Sequence, residues 1–241
     1  MRVVSLVPSA TETLVALGVA PVGCTRFCEQ PSIPTYGGTK DPAVESIIDL
    51  APDLVVVNDE ENRRQDAARL VDAGLRVHSM SPRTVGDVGP AVRALADTCS
   101  VAIPEGFGRR DWAGWLERAA ALRPPARSVC TLVWRRPWLV AGPATYGSSV
   151  LDLLGLVNVI DAADAPRYPE VSLDEIERLG PDLVVLPSEP YPFSSRHLAE
   201  LRASLPDARL ALVDGRDLFW WGIRTPAALG RLRATLEATS G

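Results

Sequence analysis

The chain has 241 residues, of which 46% are hydrophobic, and its formal net charge is −5. A chain of this length buries roughly 70–75% of its unfolded surface, in one large or two small domains. The negative charge excludes the basic field that nucleic-acid binding requires, and no run of apolar residues is long enough to span a membrane.

The first residues, MRVVSLVPSA, are typical of a strand that runs into a Pro-Ser turn. They contain neither a long apolar segment nor a small-residue cleavage site, so they do not resemble a secretory signal. We therefore expect a cytoplasmic protein, or a periplasmic or cell-surface one from which a leader was removed. In the cytoplasm the four cysteines, Cys24, Cys28, Cys99 and Cys130, are expected to be free thiols.

Short apolar runs rich in β-branched residues alternate with helical patterns along the chain. Such runs are typical of strands buried on both faces of a parallel sheet. The predicted strands are 2–7, 54–57, 75–78, 128–133, 183–186 and 209–213. Helical patterns at 10–18 and 146–155 end in Gly18 and Gly155, and glycine suits the position after a helix.

One pattern occurs twice. Residues 52–62 are PDLVVVNDEEN and residues 181–189 are PDLVVLPSE, and each follows a helical pattern, at 44–51 and 173–180. Because the same order of elements recurs in both halves, the sequence predicts two similar α/β lobes with parallel sheets.

The connection between the halves is also helical. Helical patterns cover 84–100 and 105–122, and Pro124 and Pro125 end the second one. We expect an N-terminal α/β lobe at 1–103, a linking backbone helix at 104–123 and a C-terminal α/β lobe at 124–241. Two lobes on one rigid helix would leave a ligand cleft between them.

Two segments match the capping box S-x-x-E, from Ser9 to Glu12 and from Ser172 to Glu175. The sequence therefore favours a helix start at Ser9 over a catalytic serine. The N–H groups of that helix could still face a polar group of a ligand.

In open α/β sheets, ligands bind outside the carboxyl ends of the strands. The predicted ligand-binding residues of the first lobe are Ser9, Arg26, Phe27, Tyr36, Lys40, Asn58, Glu60 and Arg83. Those of the second lobe are Trp134, Arg135, Trp138, Tyr168, Tyr191, Phe193, Trp220, Trp221 and Arg224.

Four tryptophans, Trp134, Trp138, Trp220 and Trp221, fall in predicted loops at one sheet edge. Each could simply pack under a turn, but four together favour a flat, largely apolar ligand. The arginines could bind an anionic ligand or lie on a solvated surface.

Bare-metal and catalytic sites have little support in the sequence. The two histidines, His78 and His197, are too few for a zinc site of the usual kind. Cys24 and Cys28 have the spacing C-x-x-x-C, which indicates structural thiols or a thiol at the mouth of the cleft. No nucleophile-elbow, phosphate-loop or dinucleotide motif occurs.

The segments RVVSLVPSATETLVALG, YGGTKDPAVESIIDLAPDLVVVNDEENR and YPEVSLDEIERLGPDLVVLPSEPYPF resemble the helical-backbone (class III) solute-binding proteins of ABC importers. Within that family the cobalamin-binding receptor branch is the closest match, and the resemblance covers essentially the whole chain. It implies two Rossmann-like lobes bridged by one long helix, with a metal chelate in the cleft and no enzyme activity. Trp220 falls where the family has a ligand-contacting tryptophan.

The resemblance implies cobalamin or a related corrinoid as the ligand, with a ferric siderophore or haem as the alternative, and no covalently bound cofactor. It also implies an ABC permease partner if the protein is exported, with Glu60 or Glu61 and Glu189 as candidate docking residues. A different class remains open, namely an enzyme recruited from this fold, with Glu60, Arg83 or Tyr191 as acid/base candidates.

Overall fold

The chain folds into two compact units, which a computed structural model describes over residues 1–160 and 166–239. The first unit comprises Met1–Pro82, Gly86–Gly114 and Trp221–Ile223. The second comprises the described residues of Arg83–Val85, Trp115–Trp220 and Arg224–Gly241. No helix among the described residues is both long and apolar enough to cross a membrane.

The first unit is built on a parallel four-stranded sheet with the strand order β2-β1-β3-β4. Its strands are β1 (Val3–Ser5), β2 (Gly23–Cys24), β3 (Leu54–Val57) and β4 (Val77–Ser79). The helices up to the second unit are α1 (Pro8–Ala16), α2 (Val44–Leu50), α3 (Arg64–Asp72), α4 (Val85–Cys99) and α5 (Arg109–Ala121).

The second unit is built on a sheet in which β5 has β8 on one edge and both β6 and β7 on the other. Its strands are β5 (Arg127–Trp134), β6 (Leu139–Val140), β7 (Leu156–Asn158), β8 (Leu183–Pro187) and β9 (Arg209–Val213). Its helices are α6 (Tyr146–Leu153), α7 (Leu173–Leu179), α8 (Ser195–Ser204), α9 (Gly215–Phe219) and α10 (Thr225–Ala238). All pairs are parallel except β5 with β6.

The two sheets have the same topology, because β7-β5-β8-β9 repeats the order β2-β1-β3-β4. The two Pro-Asp strands, β3 and β8, therefore occupy equivalent places in two separate sheets. This confirms the prediction of two α/β lobes with parallel sheets. Every residue of β3 and β8 is buried, as the continuous apolar runs predicted.

The repeated Pro-Asp motif has the same structural role in each unit. The Asp53 carboxylate accepts a hydrogen bond of 2.5 Å from the backbone N–H of Arg2, which precedes β1. The Asp182 carboxylate accepts one of 2.7 Å from the N–H of Ser128 in β5 and another from its hydroxyl. Each aspartate thus joins the start of its own strand to the start of the neighbouring strand.

The helices before these motifs also end alike. The residue after α2, Ala51, and the residue after α7, Gly180, are both left-handed, with φ of 46° and 57°. Gly18 and Gly155, which follow α1 and α6, have φ of 76° and confirm the predicted helix-ending glycines. A left-handed residue lets the chain leave a helix and enter the next strand within a few residues.

The predicted helical connection is present but shorter than expected. The pattern at 105–122 forms α5 over Arg109–Ala121, which is roughly 20 Å long at 1.5 Å per residue. The helix begins in the first unit and ends in the second. The lobe boundaries at 103 and 123 remain a prediction.

One predicted capping box is confirmed and the other is wrong. At α7 the Glu175 backbone N–H donates to the Ser172 hydroxyl, and the Ser172 N–H donates to the Glu175 carboxylate. The helix α1 begins at Pro8, two residues before the predicted helical pattern at 10–18, because proline is favoured in the first helical position. Ser9 therefore lies inside the first turn, and its buried hydroxyl has no hydrogen-bond partner among the described residues.

We expect Ser172→Ala to lower the free energy of unfolding by about 1 kcal/mol, because α7 loses its capping hydroxyl. Ser9→Ala should leave stability unchanged or raise it, because the substitution removes a buried hydroxyl that has no partner. Urea denaturation of the two variants measures the difference. Equal losses would contradict the position of Ser9 inside α1.

The hydrogen bonds from Ser128 hold the pKa of Asp182 below its usual value of 3.8. A carboxyl group with a pKa lowered by folding stabilises the protein above its unfolded pKa, and this contribution disappears as the pH falls through the folded value. We therefore expect Asp182→Asn to be less stable than wild type at neutral pH and equally stable in strong acid. Urea denaturation across this range tests it, with the exposed Asp207→Asn as control. A difference that persists in strong acid would contradict this origin.

Candidate ligand-binding site

Most of the predicted ligand-binding residues lie at or beyond the carboxyl ends of the strands. Those that follow strands of the first sheet are Ser9, which lies in α1, and the loop residues Arg26, Phe27, Asn58 and Glu60. Those at the end of the second sheet are Trp134, Arg135, Tyr191, Phe193 and Trp220. Tyr36, Lys40, Trp138, Tyr168 and Arg224 lie in other loops or at a helix end of the same units.

Two predicted residues belong to a different unit from the one in which the sequence placed them. Arg83, after β4, groups with the second unit, and Trp221 groups with the first. The reason lies next to Trp221, where Gly222 has φ of 107° and packs against Thr13 of α1. Trp221 itself is only 4% exposed. The expectation that all four loop tryptophans lie at one sheet edge is therefore wrong for Trp221.

Asn58 shapes the acidic loop after β3. Its side-chain oxygen accepts hydrogen bonds from the N–H groups of Glu60 and Glu61, at 2.7 and 3.0 Å, and its amide donates to the Met80 carbonyl. Asn62 completes the loop, because its side-chain oxygen accepts from the Asn58 N–H. Asn58 is buried, so its role in the structure is to present the loop that carries Glu60.

The Arg26 guanidinium forms an ion pair with a carboxylate of its own unit. Its guanidinium donates two hydrogen bonds of 3.0 Å to Asp41 and lies 4.8 Å from the centre of the Phe27 ring. The pair lowers the pKa of Asp41 through these hydrogen bonds. Phe27 is 51% exposed, which leaves one of its faces available to a ligand.

Two further predicted residues of the first unit also contact their own fold. The Tyr36 ring packs so closely on Gly23 that a Cβ there would lie 2.6 Å from it. The Lys40 ammonium donates to the backbone carbonyl of Glu60. Both residues therefore support the loops after β2 and β3.

An aromatic cluster lies at the carboxyl end of the second sheet. Trp138 stacks on Phe193 with a centroid distance of 6.4 Å and an angle of 5°, and Tyr191 contacts Phe193 at 4.7 Å. Trp134 meets Tyr191 edge to face at 5.5 Å. Exposure rises outward through the cluster, from 5% for Phe193 to 42% for Trp134. The buried ring anchors the cluster and Trp134 presents an open face.

Arg135 joins this cluster to α8. Its guanidinium lies 5.8 Å from the Trp138 ring and donates a hydrogen bond of 2.5 Å to Glu200. The hydrogen bond from Arg135 lowers the pKa of Glu200. The Arg135 Nε atom is buried and has no partner among the described residues. It is an available donor beside the aromatic rings.

Trp220 is held by a charged network around α9 and α10. Arg224 lies 5.0 Å from the Trp220 ring centre and donates to Asp217 at 3.2 Å. Arg231 makes two more hydrogen bonds to Asp217, at 2.7 and 2.6 Å. Asp217 is buried, so its charge is balanced by the two arginines. The network fixes the orientation of Arg224 against the tryptophan.

Sequence reasoning missed three carboxylate partners of the predicted arginines, namely Asp41, Glu200 and Asp217. Asp41 directly follows the predicted residue Lys40, which is a signal that could have found it. Glu200 lies 65 residues from Arg135, and no local pattern connects the two. His197 was also missed as a structural residue: it accepts a hydrogen bond from the Ser194 N–H, and burial lowers its pKa.

Among the described residues, no group of three or more histidine, cysteine, aspartate or glutamate side chains could hold a bare metal ion. His78 and His197 lie in β4 and α8. All four cysteines are free thiols.

The fold is shared with solute receptors of known structure. The periplasmic vitamin B12 binding protein BtuF of Vibrio cholerae matches with a TM-score of 0.78 at 19% identity, over 99% of this chain and 97% of that one. A periplasmic heme binding protein from Pseudomonas aeruginosa matches with a TM-score of 0.76 at 25% identity, over 97% and 91%. In sequence, the vitamin B12-binding protein of Salmonella paratyphi A is 25% identical over 198 residues, which are 77% of this chain and 71% of that protein.

The family described as periplasmic binding protein matches residues 3–204. The matched segment begins with β1 and ends with α8, so it includes the sheets of both units apart from β9. These comparisons confirm the resemblance to the helical-backbone solute-binding proteins. The chain belongs to the periplasmic binding protein family.

Proposed function

We propose that this chain is a binding protein for a metal chelate, with cobalamin or a related corrinoid as its first ligand. The vitamin B12-binding protein of Salmonella paratyphi A supports this choice, since its match covers most of both chains. In the second unit, the ligand contacts would come from the loops beyond the strands. No covalently bound cofactor is required.

The aromatic cluster of the second unit is the observation that carries the proposal. A corrin presents a broad apolar face with polar amides around its rim. Trp134 offers an open ring beside Tyr191, while Trp138 and Phe193 support it from within. Rigid rings of this kind provide a large contact area at a low cost in conformational entropy.

In each unit, the arginines that contact aromatic rings favour a ligand with little net charge. Arg26 pairs with Asp41, Arg135 with Glu200 and Arg224 with Asp217. Each positive charge is therefore balanced by a carboxylate of the same unit. A neutral amide rim can accept hydrogen bonds from such arginines without displacing their partners, whereas a strongly anionic chelate would compete with the carboxylates.

The alternative ligand is haem or a ferric siderophore. It is favoured by the likeness to the Pseudomonas aeruginosa heme binding protein. That protein is 25% identical in sequence to this chain, as is the vitamin B12-binding protein of Salmonella paratyphi A. The reading as a recruited enzyme gains no support, because the family consists of binding proteins.

The family description also bears on location and partner. It gives no support to the cytoplasmic location that the first residues suggested. We propose that the protein acts outside the cytoplasm and delivers its ligand to an ABC permease. Glu60 or Glu61 and Glu189 remain the proposed docking residues.

The direct test is to incubate the purified chain with cyanocobalamin, hemin or a ferric hydroxamate, to remove free ligand and to record the visible spectrum. Retention of cobalamin at one equivalent supports the proposal. Retention of hemin or the iron chelate alone selects the alternative ligand.

We expect Trp220→Ala to weaken cobalamin binding by about 2 kcal/mol or more, because an aromatic anchor in a pocket is lost. This is roughly a thirtyfold rise in Kd. Arg26→Ala should cost only about 0–1 kcal/mol, because its half-exposed guanidinium forms an ion pair in contact with water. Titration calorimetry measures both constants.

The matched control for that comparison is Trp115→Ala, since Trp115 lines a different surface, the groove between α5 and α10. It should leave Kd unchanged. A larger loss from Arg26→Ala than from Trp220→Ala would indicate an anionic ligand. Unchanged affinity in both variants would contradict the site itself.

Asp217→Asn should lower the free energy of unfolding by about 3 kcal/mol, because it leaves buried arginine charge without its carboxylate. It should also weaken ligand binding, since Arg224 is no longer held against Trp220. Arg231→Ala is the control: its side chain is 54% exposed and the Asp217–Arg224 contact remains. Urea denaturation and calorimetry test both, and an equal effect of the two substitutions would contradict the role of Asp217.

A further inference from the structure

A cluster of two thiols and two hydroxyls lies at the carboxyl end of β2. Cys24 is the last residue of the strand and is fully buried, whereas Cys28 is partly exposed. The Cys28 sulfur lies 3.2 Å from the Thr11 hydroxyl oxygen and 3.3 Å from that of Thr25. The Cys28 thiol also lies near enough to Cys24 to raise the pKa of the Cys24 thiol. Neither cysteine is among the proposed ligand-binding residues.

The hydrogen bonds fix the position of the Cys28 sulfur. The Thr11 hydroxyl donates its single hydrogen to the Val7 carbonyl at 2.9 Å, so it accepts from the Cys28 thiol. The backbone between the cysteines closes a turn in which the Cys28 N–H donates to the Thr25 carbonyl at 3.0 Å. The turn therefore brings Cys28 back toward the end of β2, where Cys24 lies.

We propose that Cys24 and Cys28 form a redox-active dithiol that reacts with low-molecular-weight disulfides and closes to an intramolecular disulfide. This proposal does not depend on the identity of the chelate that the protein binds.

The reaction proceeds in two exchanges. The Cys28 thiolate attacks one sulfur of the small disulfide RSSR, which breaks the S–S bond, forms Cys28–S–S–R and releases one thiol RSH after protonation. The Cys24 thiolate then attacks the Cys28 sulfur and releases the second RSH. In total, two protein thiols are oxidised to one disulfide, and one RSSR is reduced to two RSH.

Exposure assigns the roles of the two cysteines. Cys28 is the residue that an external disulfide can reach, so it reacts first. Cys24 is the resolving residue: burial, followed by the neighbouring Cys28, raises its pKa to about 12. In the mixed disulfide Cys28 no longer carries a thiol, so its contribution to the raised pKa of Cys24 disappears. The contribution of burial remains. The second exchange should therefore be the slower one and should accelerate by about tenfold per pH unit below the pKa of Cys24.

The chain provides its own controls in Cys99 and Cys130, which are both buried. Burial raises the pKa of Cys130 to about 12 and raises that of Cys99 as well. Neither should react with a small disulfide while the protein remains folded.

The test treats the full-length chain with oxidised glutathione, quenches with acid and maps the products by mass spectrometry. Trypsin cleaves after Arg26, between the two cysteines, so residues 3–26 and 27–40 carry one cysteine each. A disulfide joins these two peptides, and their combined mass falls by two hydrogens. We expect this linked product in wild type and its loss on treatment with a thiol reductant.

Two variants separate the steps, and circular dichroism confirms their folding. Cys24→Ala should accumulate the glutathione adduct on residues 27–40, because the resolving thiol is missing. Cys28→Ser should leave Cys24 unmodified. A wild-type adduct that never resolves, modification of Cys24 in Cys28→Ser at the wild-type rate, or equally fast reaction of Cys99 or Cys130 would each overturn the proposal.

Discussion

The arrangement of each unit depends on one kind of interaction, the hydrogen bond from a backbone N–H at the start of a neighbouring strand to the aspartate of the Pro-Asp motif. Asp53 binds the N–H of Arg2, and Asp182 binds that of Ser128. Each contact fixes the register of the two strands at the centre of a sheet, β3 against β1 and β8 against β5. Since a parallel strand buried on both faces tolerates no slip, the positions of the loops at the opposite edge follow. The repeated motif thus sets where the candidate ligand contacts emerge.

The polar groups at that edge are mostly engaged within their own unit. Asn58 uses its amide to shape the acidic loop, and three arginines pair with three carboxylates. Pairing costs each arginine some ability to attract an anion, but it fixes the direction in which the guanidinium points. Cation–π contacts of Arg26, Arg135 and Arg224 with Phe27, Trp138 and Trp220 add to this order. The candidate residues of each unit therefore provide oriented donors beside apolar rings with little net charge, which suits the proposed ligand with an amide rim.

Most of the fold could be predicted because its signals are local. Buried strands read as continuous apolar runs, so 54–57 was predicted to the residue, and glycines after α1 and α6 marked the helix ends. The duplication revealed two lobes because both copies keep the same order of elements. The start of α1 was misjudged because Pro8 competes with Ser9 for the first turn, and only the structure shows that the proline prevails.

The site was harder to predict because its contacts join residues that are far apart in the chain. Trp221 was correctly predicted to lie in a loop, but the next two residues, Gly222 and Ile223, contact Thr13 of α1, more than 200 residues away. The partners of Arg26 and Arg135 likewise lie 15 and 65 residues along the chain. Propensity and periodicity carry no information about such pairs, whereas residue type still indicated which side chains would gather at the strand ends.

The turn from Cys24 to Cys28 connects the dithiol to the candidate ligand site, because Arg26 and Phe27 lie between the two cysteines. Closing the disulfide replaces hydrogen-bonded thiols with a covalent bond, and the three residues of the turn must adjust to it. Any resulting change in affinity for the ligand is reciprocal, since two equilibria on one protein share a single coupling free energy. A ligand that contacts Phe27 would then shift the reduction potential of the dithiol by the same free energy with which oxidation shifts its binding. Ligand binding and thiol oxidation would thus be linked through five consecutive residues at the end of β2.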